Sequence, residues 1–242
     1  MARTAKTLTA NGNAQIDTAQ SKFGGASGLF DGTGDYLRVT PWGSDFDVAA
    51  GNFTIDCWIR RPTAAGYQAI FSGRQAAGDD NNYMGLMFTN GRQVIDYFAS
   101  SNGTSWDLLV GDTGAIDRGS ITVTNDAWHH IALVRSGNTY YGFVDGVQDF
   151  TKTVAGTIIA VDDSLTIGNW TNYGGGFNGW IDEFRFSKGI ARWTANFTPE
   201  SSAYSCGDDG YIVLMAHMDG ADTSTTFMDD NTVCFIPQVI II

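Results

Sequence analysis

Two-residue alternation of apolar and polar side chains runs through most of this chain and limits its fold more than any other feature. It recurs in DYLRVT, FTIDCWIRRP, YMGLMFTN, HHIALVRSG, TYYGFVDGVQ and GWIDEFRFS, with Gly, Asn and Asp at short intervals between them. Successive side chains of a strand point to opposite faces, so each such segment can turn one face inward. Helical periodicity is nearly absent; SKGIARWTANF is the one place where a short helical turn is expected. Many short strands separated by turn residues predict an all-β antiparallel sandwich or jelly roll. In NTYYGFVDGVQ the Asp145–Gly146 pair predicts a type I′ hairpin, because that turn needs two positive φ angles. The 242 residues suffice for one large domain with a well-buried core.

Three strands carry more specific expectations. AWHHIALVR places Trp128, His130, Ala132 and Val134 on one face and His129, Ile131, Leu133 and Arg135 on the other. Apolar groups on both faces put this strand in the middle of the sandwich, between core and opposing sheet. YIVLMAHMD, from Tyr211 to Asp219, is likewise apolar on both faces and is expected to be buried on both sides. In WIDEFRFS strict alternation puts Asp182 on one face with Trp180, Phe184 and Phe186, and sends Glu183 to the opposite face. A carboxylate among aromatics is costly unless paired, so a cation or a set of backbone donors is expected at Asp182. The polar stretch SSAYSCGDDG is the best boundary, giving a main unit at 1–200, a linker at 201–210 and a terminal strand segment at 211–242.

Composition excludes some classes of function. A net charge of −12 argues against nucleic acid as partner, since phosphate binding draws on Lys and Arg. Cys57, Cys206 and Cys234 are scattered and form no CxxC pair. Cys57 is expected as a small buried thiol, and the other two either as free thiols or as a pair. No apolar run reaches the roughly 18 residues that span a bilayer as a helix. With no secretory apolar run near Met1, the sequons at Asn52, Asn102, Asn169 and Asn196 are expected to be unused.

Five segments in order carry a resemblance: SKFGGASGLFDGTGDYLRV, GNFTIDCWIRRP, AWHHIALVRSGNTYYGFVDGVQ, LTIGN and FNGWIDEFRFSKGIARWTANFTPES. Together they resemble the laminin-G-like, concanavalin A-like lectin jelly roll, in the form found in bacteriophage structural proteins. The resemblance covers about Ser21 to Ser201 and implies an antiparallel β-sandwich. In that family a strand like YIVLMAHMDGADTSTTFMDDN opens the domain, whereas here it stands at Tyr211–Asn231, with TLTANGNAQI near the start. The chain thus resembles a module whose first strand has moved to its end. Self-complementation within one chain is the expected outcome, and insertion into a neighbouring copy of a homo-oligomer is the alternative.

The resemblance also implies chemistry. A structural calcium in such domains joins the first strand to the penultimate one, which implicates Asp182 with Asp219 or Asp229, and Asp31 more weakly; the alternative is that these Asp residues make turn hydrogen bonds. Glycan or partner binding is implied for the loop residues Asn169, Trp170, Asn172 and Tyr173, with Asp79, Asp80 and Trp106. No catalytic residue is assigned, because glycosidase chemistry needs two carboxylates facing one cleft and no dense acidic strand motif is present. His129, His130 and His217 lack ligand spacing and are expected to pack. The expectation is a non-enzymatic virion protein, a capsid decoration or tail appendage assembled in the host cytoplasm among other virion proteins. The alternative is a lectin or adhesin contacting host surface glycans.

Overall fold

The computed structural model describes residues 5–74, 82–111, 117–160, 164–170, 175–205 and 210–230. Its strands form two antiparallel sheets packed face to face, the all-β jelly roll expected from the alternation, with no α-helix among the described residues. Numbered along the chain, the seven-stranded sheet runs β15 (Thr226–Phe227), β1 (Thr7–Asn11), β4 (Tyr36–Thr40), β12 (Ser164–Ile167), β6 (Gln68–Arg74), β7 (Asn82–Phe88) and β8 (Asp96–Ala99). The eight-stranded sheet includes, in order, β11 (Val147–Thr153), β10 (Thr139–Val144), β9 (His129–Ser136), β5 (Phe53–Arg60), β13 (Asn178–Lys188), β3 (Ser27–Asp31) and β2 (Gln15–Asp17). Its remaining strand, β14 (Ile212–Ala216), also pairs with β13.

Between the sheets lies one continuous core in which Phe30, Leu37, Phe71, Leu86, Ile131, Leu133, Phe184 and Phe186 meet. Each such side chain contributes about 1.5–3 kcal/mol through burial. Cys57 is buried in the same core as a free thiol. The β10–β11 hairpin turns where the sequence places it, with Asp145 at φ 51° and Gly146 at φ 76° between the paired Val144 and Val147.

Strict alternation fails along β13. Asp182 pairs with Trp58 and Arg185 with Asp56, so three steps on β13 oppose two on β5, and Glu183 takes φ 53°. This β-bulge resets the phase of the strand. Phe184 and Phe186 enter the core, whereas Asp182 faces outward beside Trp58, so the expected grouping of Asp182 with Phe184 and Phe186 does not occur. The neighbouring carboxylates do not diverge to opposite faces either. Glu183 accepts the amide of Tyr204, whose ring packs with Trp58 on the outer side of the sheet.

The expected helical turn over SKGIARWTANF is also absent. After β13 the chain runs without regular structure across the outer face of the eight-stranded sheet. Trp193 and Phe197 stack at 3.8 Å and cover Ala132, Val134 and Phe143. β9 is therefore buried on both faces as expected, but this strap, rather than the opposing sheet, covers its second face. Tyr204, within the expected linker, is buried as well.

β14 occupies the edge of β13 beyond β3, pairing Phe184 with Ala216 and Phe186 with Leu214. All five of its residues are buried: Val213, Leu214 and Ala216 in the main core, Ile212 and Met215 against Trp58 and Tyr204. From there the chain continues to β15, which pairs Leu8 with Phe227, and Asp229 accepts the amide of Lys6 at 2.9 Å. The two ends of the described chain thus lie side by side.

Candidate functional site

The outer face of the seven-stranded sheet carries an aromatic cluster. Outward positions on β6, β7 and β8 supply Ala69, Met87 and Phe98, and Trp170, which follows β12, lies across them. A Cβ added at Gly85 would meet the Trp170 ring at 3.3 Å, so the ring rests on the strand backbone. Phe98, Trp106 and Trp170 meet edge to face, with centroids 5.1–5.3 Å apart. Such pairs contribute about 0.5–1.5 kcal/mol beyond their buried area. Trp170 is buried and Trp106 is half-buried. Tyr67 flanks the cluster across Gly175 and leaves 41% of its surface exposed.

Trp106 is held by a polar loop. Ser100 Oγ donates to the carbonyl of Ser105 at 2.6 Å, and Asn102 Oδ1 accepts the amides of Thr104 at 2.8 Å and Ser105 at 2.9 Å. Asp107 accepts the amide of Ser101 at 2.7 Å. Asn169 is buried; its carbonyl accepts from Thr166 and Ser72, while Oδ1 accepts no hydrogen bond among the described residues. The face therefore combines flat apolar rings with polar groups that are mostly uncharged, the pairing that suits sugar rings and their hydroxyls. Of the sequence expectations, Trp106 and Trp170 meet here, with Asn169 preceding Trp170 in the chain. Asn172, Tyr173, Asp79 and Asp80 lie outside the described residues. Tyr67 and Phe98 were not anticipated, because neither stands in a polar, turn-like stretch.

A second cluster forms where the terminal segment joins β13. Asp182 is fully buried; its Oδ2 accepts the amides of Lys22 at 2.7 Å and Phe23 at 3.2 Å, and its Oδ1 accepts none among the described residues. Asp219 approaches the same loop so closely that a Cβ on Gly24 would clash with its carboxylate. Burial pushes the Asp182 carboxyl up to about 7, against the lowering effect of the two amides and with Glu183 and Asp219 adding to the rise. Burial also raises Asp219. Glu183, fully buried, accepts from His217 Nδ1 at 2.9 Å, and this bond, against the effect of burial, raises the imidazole above its ordinary value.

The other two expected ligands lie apart from this pair. Asp229 accepts the amides of Lys6 and Met215, and Asp31 closes a surface turn by accepting the amide of Thr33 at 2.7 Å. Among the described residues no group of three or more Asp, Glu, His or Cys side chains is gathered to hold a metal. His129 bridges Thr124 and Asp145, and His130 contacts Tyr204 and Asp56, so both histidines are tied into the packing as expected.

The sandwich, its strand pattern and its aromatic outer face can now be set beside known proteins. A family model of the concanavalin A-like lectin/glucanases superfamily matches residues 31–192. The chain belongs to this superfamily. No curated protein matches the chain in sequence. Solved structures with the same fold include a putative carbohydrate-binding protein from Bacteroides ovatus, 14% identical, with a TM-score of 0.56 over 91% of this chain and 53% of that one. Another is tailspike protein 2 of Escherichia coli O157:H7 bacteriophage CAB120, 14% identical, with a TM-score of 0.58 over 91% of this chain and 31% of that one. A third is domain 4 of an extracellular arabinanase from Geobacillus stearothermophilus, in complex with arabinotriose, 16% identical, with a TM-score of 0.53 over 77% of this chain and 83% of that domain. The chain thus spans about half of the first structure and about a third of the tailspike. At these identities the likeness is one of fold.

Proposed function

We propose that this chain is a non-enzymatic, glycan-binding jelly-roll module carried on a bacteriophage particle as a decoration or tail appendage. The observation that carries the glycan reading is the outer aromatic face, where Trp106 and Tyr67 remain accessible around a buried Trp170. A carbohydrate-binding protein and an arabinotriose complex among the structures of like fold add support, as does the tailspike for the particle. The fate of the acidic side chains of β13 supports the absence of catalysis. Asp182 and Glu183 are fully buried and bound to backbone amides and His217, which leaves neither facing a cleft.

Binding of the purified chain to a printed glycan array, beside Trp106→Ala, tests the glycan reading. Retention of one glycan class, weakened about tenfold in the variant, is the expected result. Equal binding by both proteins, or none by either, would overturn it. Imaging of labelled particles locates the chain: many symmetric copies on the head mark a decoration protein, few copies at the tail an appendage, and none contradicts the virion reading.

Calcium enters the proposal at one place. Asp182 and Asp219 would hold it, since they converge on one loop and Asp182 Oδ1 is buried without a hydrogen bond among the described residues. Calcium takes about 6–8 oxygens, so carbonyls and water would have to complete the shell. The ion would neutralise the carboxylate pair at the join between β13 and the terminal segment.

A further inference from the structure

Charge around the aromatic face narrows the class of glycan it can take, and this inference rests on the glycan-binding reading above. Residues 62–118 build β6, β7, β8 and the Trp106 loop, yet they contain only three cations, Arg74, Arg92 and Arg118. Residues 154–184, which include β12 and Trp170, contain none. Arg92 is engaged with Thr89 Oγ1 at 2.7 Å, Arg118 is ion-paired with the buried Asp96 at 2.6 Å, and Arg74 closes β6 at the end away from Tyr67.

The charged group carried by the Trp106 loop itself is a carboxylate. Asp107 adjoins Trp106 and is exposed. Its slight burial would raise its pKa, but hydrogen bonds from Ser101 outweigh this and hold the carboxyl below its ordinary range, so it stays ionised at neutral pH. The exposed Asn102, Thr104 and Ser105 supply donors and acceptors without charge. An anionic sugar binds where Arg or Lys replaces the water around its carboxylate or phosphate. Here it would meet Asp107 and a chain whose net charge is −12.

We infer that the face formed by Tyr67, Trp170 and Trp106 takes neutral glycans and excludes sialylated, uronate-containing or phosphorylated ones, with Asp107 as the residue that sets this preference. Neutral rings offer C–H faces to the indoles and hydroxyls to the amides and hydroxyls of the loop. Their binding is also indifferent to salt, because no charge is neutralised.

The test is a printed array carrying neutral and acidic glycans together, probed at low and high salt with wild type, Trp106→Ala, Tyr67→Ala and Asp107→Asn. The expected hits are neutral, unchanged by salt and weakened about tenfold by either aromatic substitution. Asp107→Asn, whose amide oxygen can still accept from Ser101, is expected to keep those hits and add weak acidic ones. Tyr67→Ala guards against a folding defect in Trp106→Ala, because the Tyr67 ring is already 41% exposed. Acidic hits that weaken with salt and with the aromatic substitutions would overturn the neutral class while leaving glycan binding intact. A silent array, or hits indifferent to both aromatic substitutions, would overturn glycan binding itself and this inference with it.

Discussion

The outer faces of the two sheets are built from similar aromatic residues and end differently. On the eight-stranded sheet Trp58, Trp193, Phe197 and Tyr204 lie under or within the chain's own strap, together with ionised groups. On the seven-stranded sheet Phe98, Trp106 and Trp170 carry no such strap among the described residues, and the polar groups around them are mostly uncharged. The difference is in how charge can be tolerated. Under the strap Asp56 must be matched, and it is: Arg185 donates to both its oxygens, at 3.1 and 2.9 Å, and His130 Nε2 lies 3.3 Å away. Burial would raise the Asp56 carboxyl, but Arg185 and His130 hold it well below the carboxylate range. A face sealed by its own chain serves stability, whereas a face left partly open is free to bind.

The largest effect should come from removing what seals the eight-stranded sheet. Deleting residues 205–242 takes away β14, all five of whose residues are buried, and leaves the β13 edge and the Trp58 cluster open to water. We expect insoluble protein with no cooperative melt; a soluble, folded product would show that the sandwich is complete without its terminal segment. Next in size is Arg185→Ala. It leaves the Asp56 carboxylate buried without its bidentate partner and removes the guanidinium that lies 3.9 Å from the Tyr204 ring centroid. A loss of about 3–5 kcal/mol is expected from the denaturation midpoint. Loss below 1 kcal/mol would mean that water reaches Asp56 and the strap is no seal.

Asp182→Asn should act in the opposite direction. The folded pKa of Asp182 lies near 7, above its ordinary 3.8, so the native state binds more protons than the unfolded state between those values. Stability therefore falls as pH rises through that window, and ionised Asp182 opposes folding at neutral pH. In chelator the Asn variant should gain up to about 4 kcal/mol at neutral pH and lose most of this pH dependence. His217, raised by Glu183, contributes in the same direction, its stabilisation being lost as pH rises. With calcium bound, wild type should gain instead, by about 2.7 kcal/mol at a hundredfold excess over Kd. Coincident melts with calcium and with chelator would leave Asp182 as a hydrogen-bonded acid only.

How far the sequence foretold these two faces follows from what alternation can encode. Period-two patterning separates the faces of a strand, and it split Ile131 and Leu133, which enter the core, from Ala132 and Val134, which lie under the strap, without telling which set faces inward. The Asp145–Gly146 turn was legible because its residue types are dictated by φ. The bulge at Glu183 was not legible, since no glycine marks it, and its one-residue shift moved Asp182 off the face of Phe184 and Phe186. The strap reads as a helical turn because Trp193 and Phe197 stand four residues apart, as on one helix face, while they serve tertiary contacts. On the seven-stranded sheet Trp106 and Trp170 stood out as aromatics in polar loops. Tyr67 and Phe98 did not, because only the fold brings the entry to β6 and the middle of β8 to the same face.

The smallest predicted change in stability separates the two faces most sharply. Trp106 is half-buried and meets Phe98 and Trp170 by ring edges, with no ion pair depending on it. Trp193 is stacked flat on Phe197 and packs against the buried His130, at the centre of the seal. Trp193 is half-buried like Trp106, but truncating it uncovers Ala132 and Val134 and removes the flat stack on Phe197, and should cost about 2–3 kcal/mol. Trp106→Ala loses area that is already part-solvated and two edge contacts, so about 1–2 kcal/mol is expected. Urea denaturation of both variants, with equal m values to show that the same surface is exposed on unfolding, decides the comparison. If Trp106→Ala proved as costly as Trp193→Ala, the open face would be another structural seal. A small cost in stability joined to a loss of glycan binding would mark Trp106 as a residue kept for its ligand.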